Sequence, residues 1–236
     1  MSVFYSRFAE YYDALYSFKD YKTESETLRK IIEAHKRSDG NTLLDVACGT
    51  GGHIQYLRQY YTTWGIDVSN EMLDVARMKF NGVEFRHADM TDFDLKRGFD
   101  VVVCLFGSIN YLTTKEAFRK AVANFSKHTV EGGVLVMEPI FTKERMHSFS
   151  IGMQCVDDAE YKLSRVNSTL VAGDIAYLNF HFLLATRDGV EHIFDPSPLG
   201  VFSESEFMSA MEDAGYQIVD DKTGLSKQSM FVGVKE

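Results

Sequence analysis

The sequence predicts an α/β fold: a seven-stranded, mostly parallel sheet with helices on both faces, carrying an antiparallel β insertion after its fifth strand. Three observations lead there. From Thr42 to Pro139, short apolar segments alternate with amphipathic segments of helical period, the arrangement that buries a parallel sheet on both sides. After Pro139 the apolar pattern switches to period two. The 236 residues, 45% of them hydrophobic, suffice for one large core with a cap.

Residues 1–38 read as a helical lead-in, because Tyr21, Leu28, Ile31 and Ile32 recur at helical spacing among charges until "SDGN" breaks the pattern. The core, residues 39–140, opens with "TLLDVA", an apolar strand buried on both faces, followed by "GGHIQYLRQYY", a helix starting at the glycines. "TTWGIDVS" is the second strand, and "NEMLDVARMKF" a helix capped by Ser69 or Asn70 with Glu71 in its first turn. "GVEFRHADM" and "FDVVVCLFGSI" supply strands three and four. "TKEAFRKAVANFSKHT" is a helix begun by Thr113 or Thr114, and "GGVLVMEPI" the fifth strand. Residues 141–202 form the cap, where "AEYKLSRVNSTLVAGDIAYLNFHFLLATRDGVEHIF" reads as an antiparallel meander turning at "AGD" and "RDG". In 203–236, "SESEFMSAMEDAG" is a helix with a Ser203/Glu206 capping box and Gly215 at its end, before two last strands in "YQIVDDK" and "MFVGVKE". No repeat or low-complexity linker separates these parts, so one domain with an integrated cap is expected.

Composition narrows the function classes. Twenty-five basic residues against 34 acidic ones give a formal charge of -9 without a Lys/Arg stripe, which argues against nucleic acid as a partner. Cys48, Cys104 and Cys155 form no C-x-x-C pair, so neither a disulfide framework nor a thiolate zinc site is indicated, and a reducing cytoplasm is expected. The amino terminus "MSVFYSRFAEYYDALY" lacks the apolar stretch of an export signal, and no window of the sequence is apolar enough to span a membrane. The histidines show no paired ligand spacing, so no metal is expected.

Chemistry concentrates at the ends of the first three strands. Asp45, Gly49 and Gly51 in "LLDVACGTGGH" set a loop where missing side chains let a ligand approach the backbone. No Lys follows Gly51 or Gly52 and G-x-G-x-x-G is not met, so phosphate and pyrophosphate cradles, and with them an NAD-dependent dehydrogenase, lose ground. Asp67, 22 residues beyond Asp45, is placed to take both hydroxyls of a ribose, while Asp89 is placed to accept from an adenine amine with Met90 on the ring. A ribonucleoside without phosphates fits these groups best.

In order along the chain, "LLDVACGTG", "GIDVS", "HADM", "FDVVVCLFGSINYL" and "GGVLVMEP" resemble the successive motifs of class I S-adenosylmethionine-dependent methyltransferases, with Ala47 at the first glycine of the family's loop. "FAEYYDALY", "KDY", "ADMTDF", "LSRVNSTLVAGDIAYLNFHF" and "FVGVKE" extend the resemblance to N,N-dimethyltransferases of nucleotide-linked deoxyamino sugars. The resemblance implies a Rossmann-like fold, S-adenosylmethionine as cofactor, and a cofactor pocket formed by Tyr16, Tyr21, Asp45, Ala47, Cys48, Gly49, Gly51, Asp67, Val68, Met72, Asp89, Met90 and Leu105. It also implies that the insertion helps build the acceptor site, although "EHIFDPSPLGVFSESEF" puts prolines where the family's strand runs uninterrupted.

The implied reaction is an in-line displacement of a sulfonium methyl by the lone pair of a small-molecule acceptor, an amine above all, with no covalent enzyme intermediate. Tyr16, Tyr111 and His181, with Glu138 beside them, are the candidates to orient the acceptor or take its proton. The alternatives are a small-molecule O-methyltransferase and a non-catalytic S-adenosylmethionine-binding protein. A nucleic-acid base amino-methyltransferase is disfavoured, because no N/D-P-P-Y/F follows the fourth strand. Monomer and homodimer both remain open.

Overall fold

The computed structural model describes residues 3–219 and 229–236. Strands β1 (Thr42–Val46), β2 (Thr62–Asp67), β3 (Glu84–His87), β4 (Phe99–Cys104) and β5 (Thr129–Met137) pair in parallel. Four further strands, β6 (Phe149–Asp157), β7 (Lys162–Ala172), β8 (Ile175–Thr186) and β9 (Gly189–Gly200), form a separate antiparallel meander. The chain then returns through β10 (Tyr216–Val219) and β11 (Phe231–Lys235), and β11 runs antiparallel between β5 and β10. The first sheet thus has seven strands in the order β10-β11-β5-β4-β1-β2-β3, confirming the doubly wound sheet and its antiparallel insertion. Of the last two strands expected, "YQIVDDK" is described as far as Val219, and its remainder lies outside the described residues.

Alternation along the central strands sends consecutive side chains to opposite faces, and both faces are apolar. Leu44, Val102, Leu135 and Met137 meet Phe118 and Phe125 of the helix Lys115–Lys127 and Phe207 of the helix Glu204–Asp213. Leu43, Val101, Val103 and Val134 meet Leu28, Ile31 and Ile32 of the helix Tyr21–His35. The helices start where capping chemistry places them: Asp20 accepts from Thr23 N–H, Ser69 from Met72 N–H at the head of Asn70–Lys79, and Ser203 with Glu206 completes the capping box.

Some boundaries differ from the sequence reading. The helix expected over "GGHIQYLRQYY" condenses to Ile54–Leu57, because the preceding residues bend into the glycine loop. Strand β6 lies ahead of the stretch read as the meander and adds a fourth strand to it. The prolines do not end β9: Pro196 and Pro198 share one phase of an outer strand whose other phase carries the ladder to β8, so their missing N–H groups fall on the open edge.

The lead-in segment seals the space between the two sheets. Phe4 stacks on Phe182 of β8 at 5.0 Å between ring centroids, and Phe8 stacks on the same ring at 5.3 Å. Phe182 is fully buried there with Leu163 and Ile193. Among the described residues no helix is long and apolar enough to cross a membrane.

Because Phe182 anchors the lead-in to the meander, Phe182→Ala is expected to destabilise the protein by about 3–5 kcal/mol through the cavity it leaves. Urea unfolding monitored by circular dichroism measures this, and a loss below about 1 kcal/mol contradicts the anchoring role.

Candidate functional site

The carboxyl ends of β1, β2 and β4 open onto a cavity of about 730 Å³, roofed by the lead-in segment and by β8 and β9. Parallel strands place their following loops on one sheet edge, which is why residues distant in sequence converge there. Of the groups singled out from the sequence, Tyr16, Tyr21, Asp45, Ala47, Cys48, Gly49, Asp67, Val68, Met72, Met90, Leu105 and Tyr111 all line this cavity.

The loop after β1 owes its shape to left-handed backbone at alternate residues. Ala47, Gly49 and Gly51 have φ of 59°, 54° and 81°. Ala47 holds this conformation at the cost normally avoided by glycine, of order 1 kcal/mol. Gly51 turns away from the cavity, and a Cβ there would come within 2.7 Å of the Phe80 ring, so its role is to let the loop close on the following helix. Gly52 has the corresponding function toward the roof, since a Cβ would strike the Tyr21 ring at 2.5 Å.

Two carboxylates underlie the loop. Asp67 accepts from Gly49 N–H through one oxygen and from Ser69 N–H through the other, both at 2.8 Å, which fixes its plane. Burial nonetheless raises its carboxyl above the ordinary value, with the hydrogen bonds from Ser69 and Gly49 opposing the rise. Asp45 is 3% exposed, and burial followed by the Asp67 charge pushes its carboxyl up to about 8. Such a pair is suited to a cationic, hydroxyl-bearing ligand. Cys48 is buried with its thiol pushed well up by the same burial, which removes it as a nucleophile.

Two polar ties hold the roof to the loop. Thr50 donates to Asp13 at 2.6 Å, and Lys79 holds the other Asp13 oxygen at 2.6 Å. Glu24 joins Lys19 at 2.6 Å and His53 at 3.0 Å. Burial raises the Glu24 carboxyl, but the His53 and Lys19 hydrogen bonds outweigh it and hold the group below its ordinary value. Lys19 also lies 4.1 Å from the Phe106 ring centroid.

Phe106 itself has φ of 53°, a strained position for an aromatic residue, and the following Gly107 has φ of 74°. Glu138, fully buried, braces this turn: its carboxylate accepts Phe106 N–H at 3.0 Å, and its carbonyl accepts Gly107 N–H at 2.9 Å. Glu138 does not line the cavity, so the structure gives it a positioning role in place of the proton transfer considered from the sequence.

The side of the cavity under the meander presents phenols. Tyr111 and Tyr5 meet hydroxyl to hydroxyl at 2.6 Å, and Tyr16 accepts from the buried Arg165 at 2.7 Å. Burial raises all three phenols, and in Tyr16 the Arg165 charge and hydrogen bond oppose but do not cancel the rise. They are therefore neutral hydroxyls near pH 7, able to orient an acceptor but poorly suited to remove its proton. Ser197, 3% exposed with its hydroxyl turned to Tyr111, completes this wall.

Two expected site residues are elsewhere. His181 points to the outer face of the meander, ring-stacked on His192 with nitrogens 3.0 Å apart, because Phe180 and Phe182 take the inward phase of β8. Asp89 is exposed and outside the cavity wall, with one oxygen accepting both Thr91 N–H and Thr91 Oγ1 at 2.7 Å. Its neighbour Met90 does reach the cavity. Sequence reasoning missed Tyr5, Tyr12, His53 and Phe106. An aromatic-rich amino terminus hinted at the first two, whereas nothing local marks Phe106 as left-handed.

Comparison with known proteins agrees with this architecture. A methyltransferase domain model matches residues 43–133. The chain is 32% identical to dTDP-3-amino-3,4,6-trideoxy-alpha-D-glucopyranose N,N-dimethyltransferase of Streptomyces venezuelae, over 96% of this chain and 97% of the relative. The sugar N-methyltransferase KedS8 from Streptoalloteichus superposes with a TM-score of 0.89 at 31% identity, covering 95% of this chain and 92% of its own. CalS10 with bound S-adenosylmethionine, an amino pentose methyltransferase from Micromonospora echinaspora, gives 0.85 at 31% identity, covering 95% and 96%.

The raised Asp45 carboxyl makes stability depend on pH in a definite direction. The unfolded chain ionises at the ordinary value of 3.8 while the folded one retains its proton to about 8. Unfolding therefore gains as pH rises through that window, and the ligand-free protein loses stability from about pH 4 to 8 and no further above it from this group. Asp45→Asn is expected to melt higher than wild type near pH 8, with a shallower fall from acid, and to bind S-adenosylmethionine more weakly. Thermal melts across pH check this; equal slopes in the two proteins would remove Asp45 from the account.

Proposed function

The chain belongs to the class I S-adenosylmethionine-dependent methyltransferases, sharing a family with the sugar N-methyltransferases described above, and from that premise we propose that it N-methylates an amino sugar carried on a nucleoside diphosphate. The observation that carries this reading is the division of the cavity, with acidic groups and a tight glycine loop on one side and orienting hydroxyls under the meander on the other.

S-adenosylmethionine is the source of an electrophilic methyl on a positively charged sulfur. The residues present fit that group: Asp67 is oriented for a ribose diol, Asp45 lies buried where positive charge would stabilise its ionised form, and Met72, Met90 and Leu105 supply apolar wall. Tyr16 and Tyr21 cover the loop, excluding water from the line of transfer. Tyr5, Tyr111 and Ser197 orient the acceptor so that a neutral amine presents its lone pair to the methyl. Once nitrogen has bonded to carbon and the carbon–sulfur bond has broken, the ammonium product sheds its proton to water. An amine suits this wall better than an alcohol, because phenols that stay protonated near pH 7 are weak bases for activating a hydroxyl.

We assign the rest of a nucleotide-linked acceptor to space beyond this cavity. A second cavity of about 370 Å³ adjoins it at Ile140, lined by Arg145, His147, Thr142 and Ser229 among others. Thr142 is 1% exposed and its hydroxyl has no partner. A guanidinium and several hydroxyls suit a diphosphate. The free cysteines agree with a reducing, cytoplasmic setting.

Methyl transfer is tested with a nucleoside-diphosphate-linked amino sugar, its hydroxyl analogue and the free amino sugar, products being weighed by mass spectrometry. Methylation of the linked amine alone is expected. Transfer to the hydroxyl analogue would favour the O-methyltransferase reading, and cofactor binding without turnover on any acceptor would favour a binding protein. Arg145→Ala is expected to raise KM for the linked acceptor by about tenfold, the loss of one charged hydrogen bond, with S-adenosylhomocysteine affinity unchanged. An unaltered KM would remove the second cavity from the acceptor site.

A further inference from the structure

On β7, Arg165 shares the inward phase of the strand with Leu163 and Thr169, and all three are buried. Its guanidinium donates to the Tyr16 hydroxyl at 2.7 Å and to Gln154 Oε1, its register partner on β6. It also lies 5.1 Å and 5.2 Å from the ring centroids of Tyr16 and Phe180. Both rings line the methyl-transfer cavity, and Arg165 stands directly behind them. Its hydrogen bonds go to a phenol and an amide, its Nε–H has no partner, and among the described residues no carboxylate pairs with it. A buried positive charge without a counter-ion costs folding free energy, and such costs are retained at functional positions.

We propose that Arg165 is a positioning residue for methyl transfer: it fixes the Tyr16 hydroxyl against the acceptor, and its uncompensated charge keeps the acceptor amine neutral. This rests on the amino-sugar reading above. A protonated amine has no lone pair to offer the sulfonium methyl, so it must give its proton to water before nitrogen bonds to carbon and the carbon–sulfur bond breaks. An amine hydrogen bonded to Tyr16 stands ~7 Å from the guanidinium carbon; at an effective dielectric of ~20, a unit charge at that distance lowers the pH at which the amine deprotonates by roughly one to two units. The transition state returns only part of a positive charge to nitrogen, so the repulsion relieved by losing the proton exceeds the repulsion regained.

The groups around the acceptor leave that effect standing. Tyr5, Tyr12, Tyr21 and Tyr111 stay protonated near pH 7 because burial raises them. Asp195 on β9 lies outside the cavity wall and accepts Phe4 N–H at 3.0 Å. Lys19 and His53 are both bonded to Glu24, which offsets the Lys19 charge. Asp45, Asp67 and the Cys48 thiol lie by the glycine loop, on the cofactor side. An ammonium bound among the phenols therefore meets neutral hydroxyls backed by a cation.

Single-turnover methylation of a nucleoside-diphosphate-linked amino sugar tests the proposal, with enzyme and S-adenosylmethionine in excess so that the rate reports the bound amine. Products are weighed by mass spectrometry after quenching across the pH range. In wild type the rate is expected to reach half its plateau about one unit or more below the pH at which the free amine half-ionises in an NMR titration. Arg165→Met is expected to move that midpoint up by about one unit. Arg165→Lys keeps the charge without the forked contact to Tyr16 and Gln154, so it should lower the plateau by about tenfold and leave the midpoint in place. A purely structural role would lower the plateau at every pH without moving the midpoint. An Arg165→Met protein that binds S-adenosylhomocysteine, and is therefore folded, but has the wild-type midpoint overturns the proposal. So does a wild-type midpoint at the free amine's own value, which requires no variant to fold. Absence of methylation on any linked amine at any pH would defeat the acceptor reading itself, and this inference with it.

Discussion

The structure depends most on the burial of two carboxylates, Asp45 and Asp67, at the carboxyl ends of neighbouring strands. Neither the apolar core nor the backbone gains from keeping them there: burial opposes ionisation of both, and in Asp45 the Asp67 charge adds to the penalty. The fold tolerates them because the surrounding loop is organised around the pair. Left-handed residues 47, 49 and 51 bend the chain so that Gly49 donates to Asp67, which also accepts from Ser69 in its own turn. Burial that costs stability in the ligand-free protein becomes complementarity once a cationic, diol-bearing molecule arrives, which is the stability cost commonly found at functional sites.

That arrangement explains the attachments of the roof. The lead-in segment is held to the loop by Thr50–Asp13–Lys79 and by Lys19–Glu24–His53, and to the meander by Phe4 and Phe8 on Phe182. Both polar ties use residues immediately next to the glycines. Closure of the roof and shape of the loop are therefore mechanically coupled, and water is kept from the carboxylates by the same residues that would cover a ligand. The meander supplies the remaining wall with one phase of its strands.

Much of this was legible in the sequence, for physical reasons that also mark the limits. Strands β1, β2, β4 and β5 stand out as short apolar runs because both faces of a parallel sheet are covered, and Asp45 and Asp67 stand out as charges at the ends of such runs. Ser69 and the Ser203/Glu206 pair were readable as caps because their chemistry is local. His181 was misplaced because both phases of β8 are largely apolar, so alternation alone does not tell which face meets the cavity. Asp89 sits at a strand end like Asp67, but its hydrogen bonds fall within its own turn, a distinction that depends on where the next two residues go. Phe106 was invisible because its left-handed backbone is imposed from a distance by Glu138, 32 residues later in sequence.

The most direct test of the central claim is the number of protons released when S-adenosylmethionine binds, obtained by titration calorimetry in buffers of different ionisation enthalpy. A ligand that brings positive charge to a carboxyl held near 8 must lower it, so wild type should release protons between about pH 6 and 8, and Asp45→Asn should release fewer. Binding that releases no proton from either protein across that range would contradict the account, because the buried carboxyl would then not be what the ligand discharges.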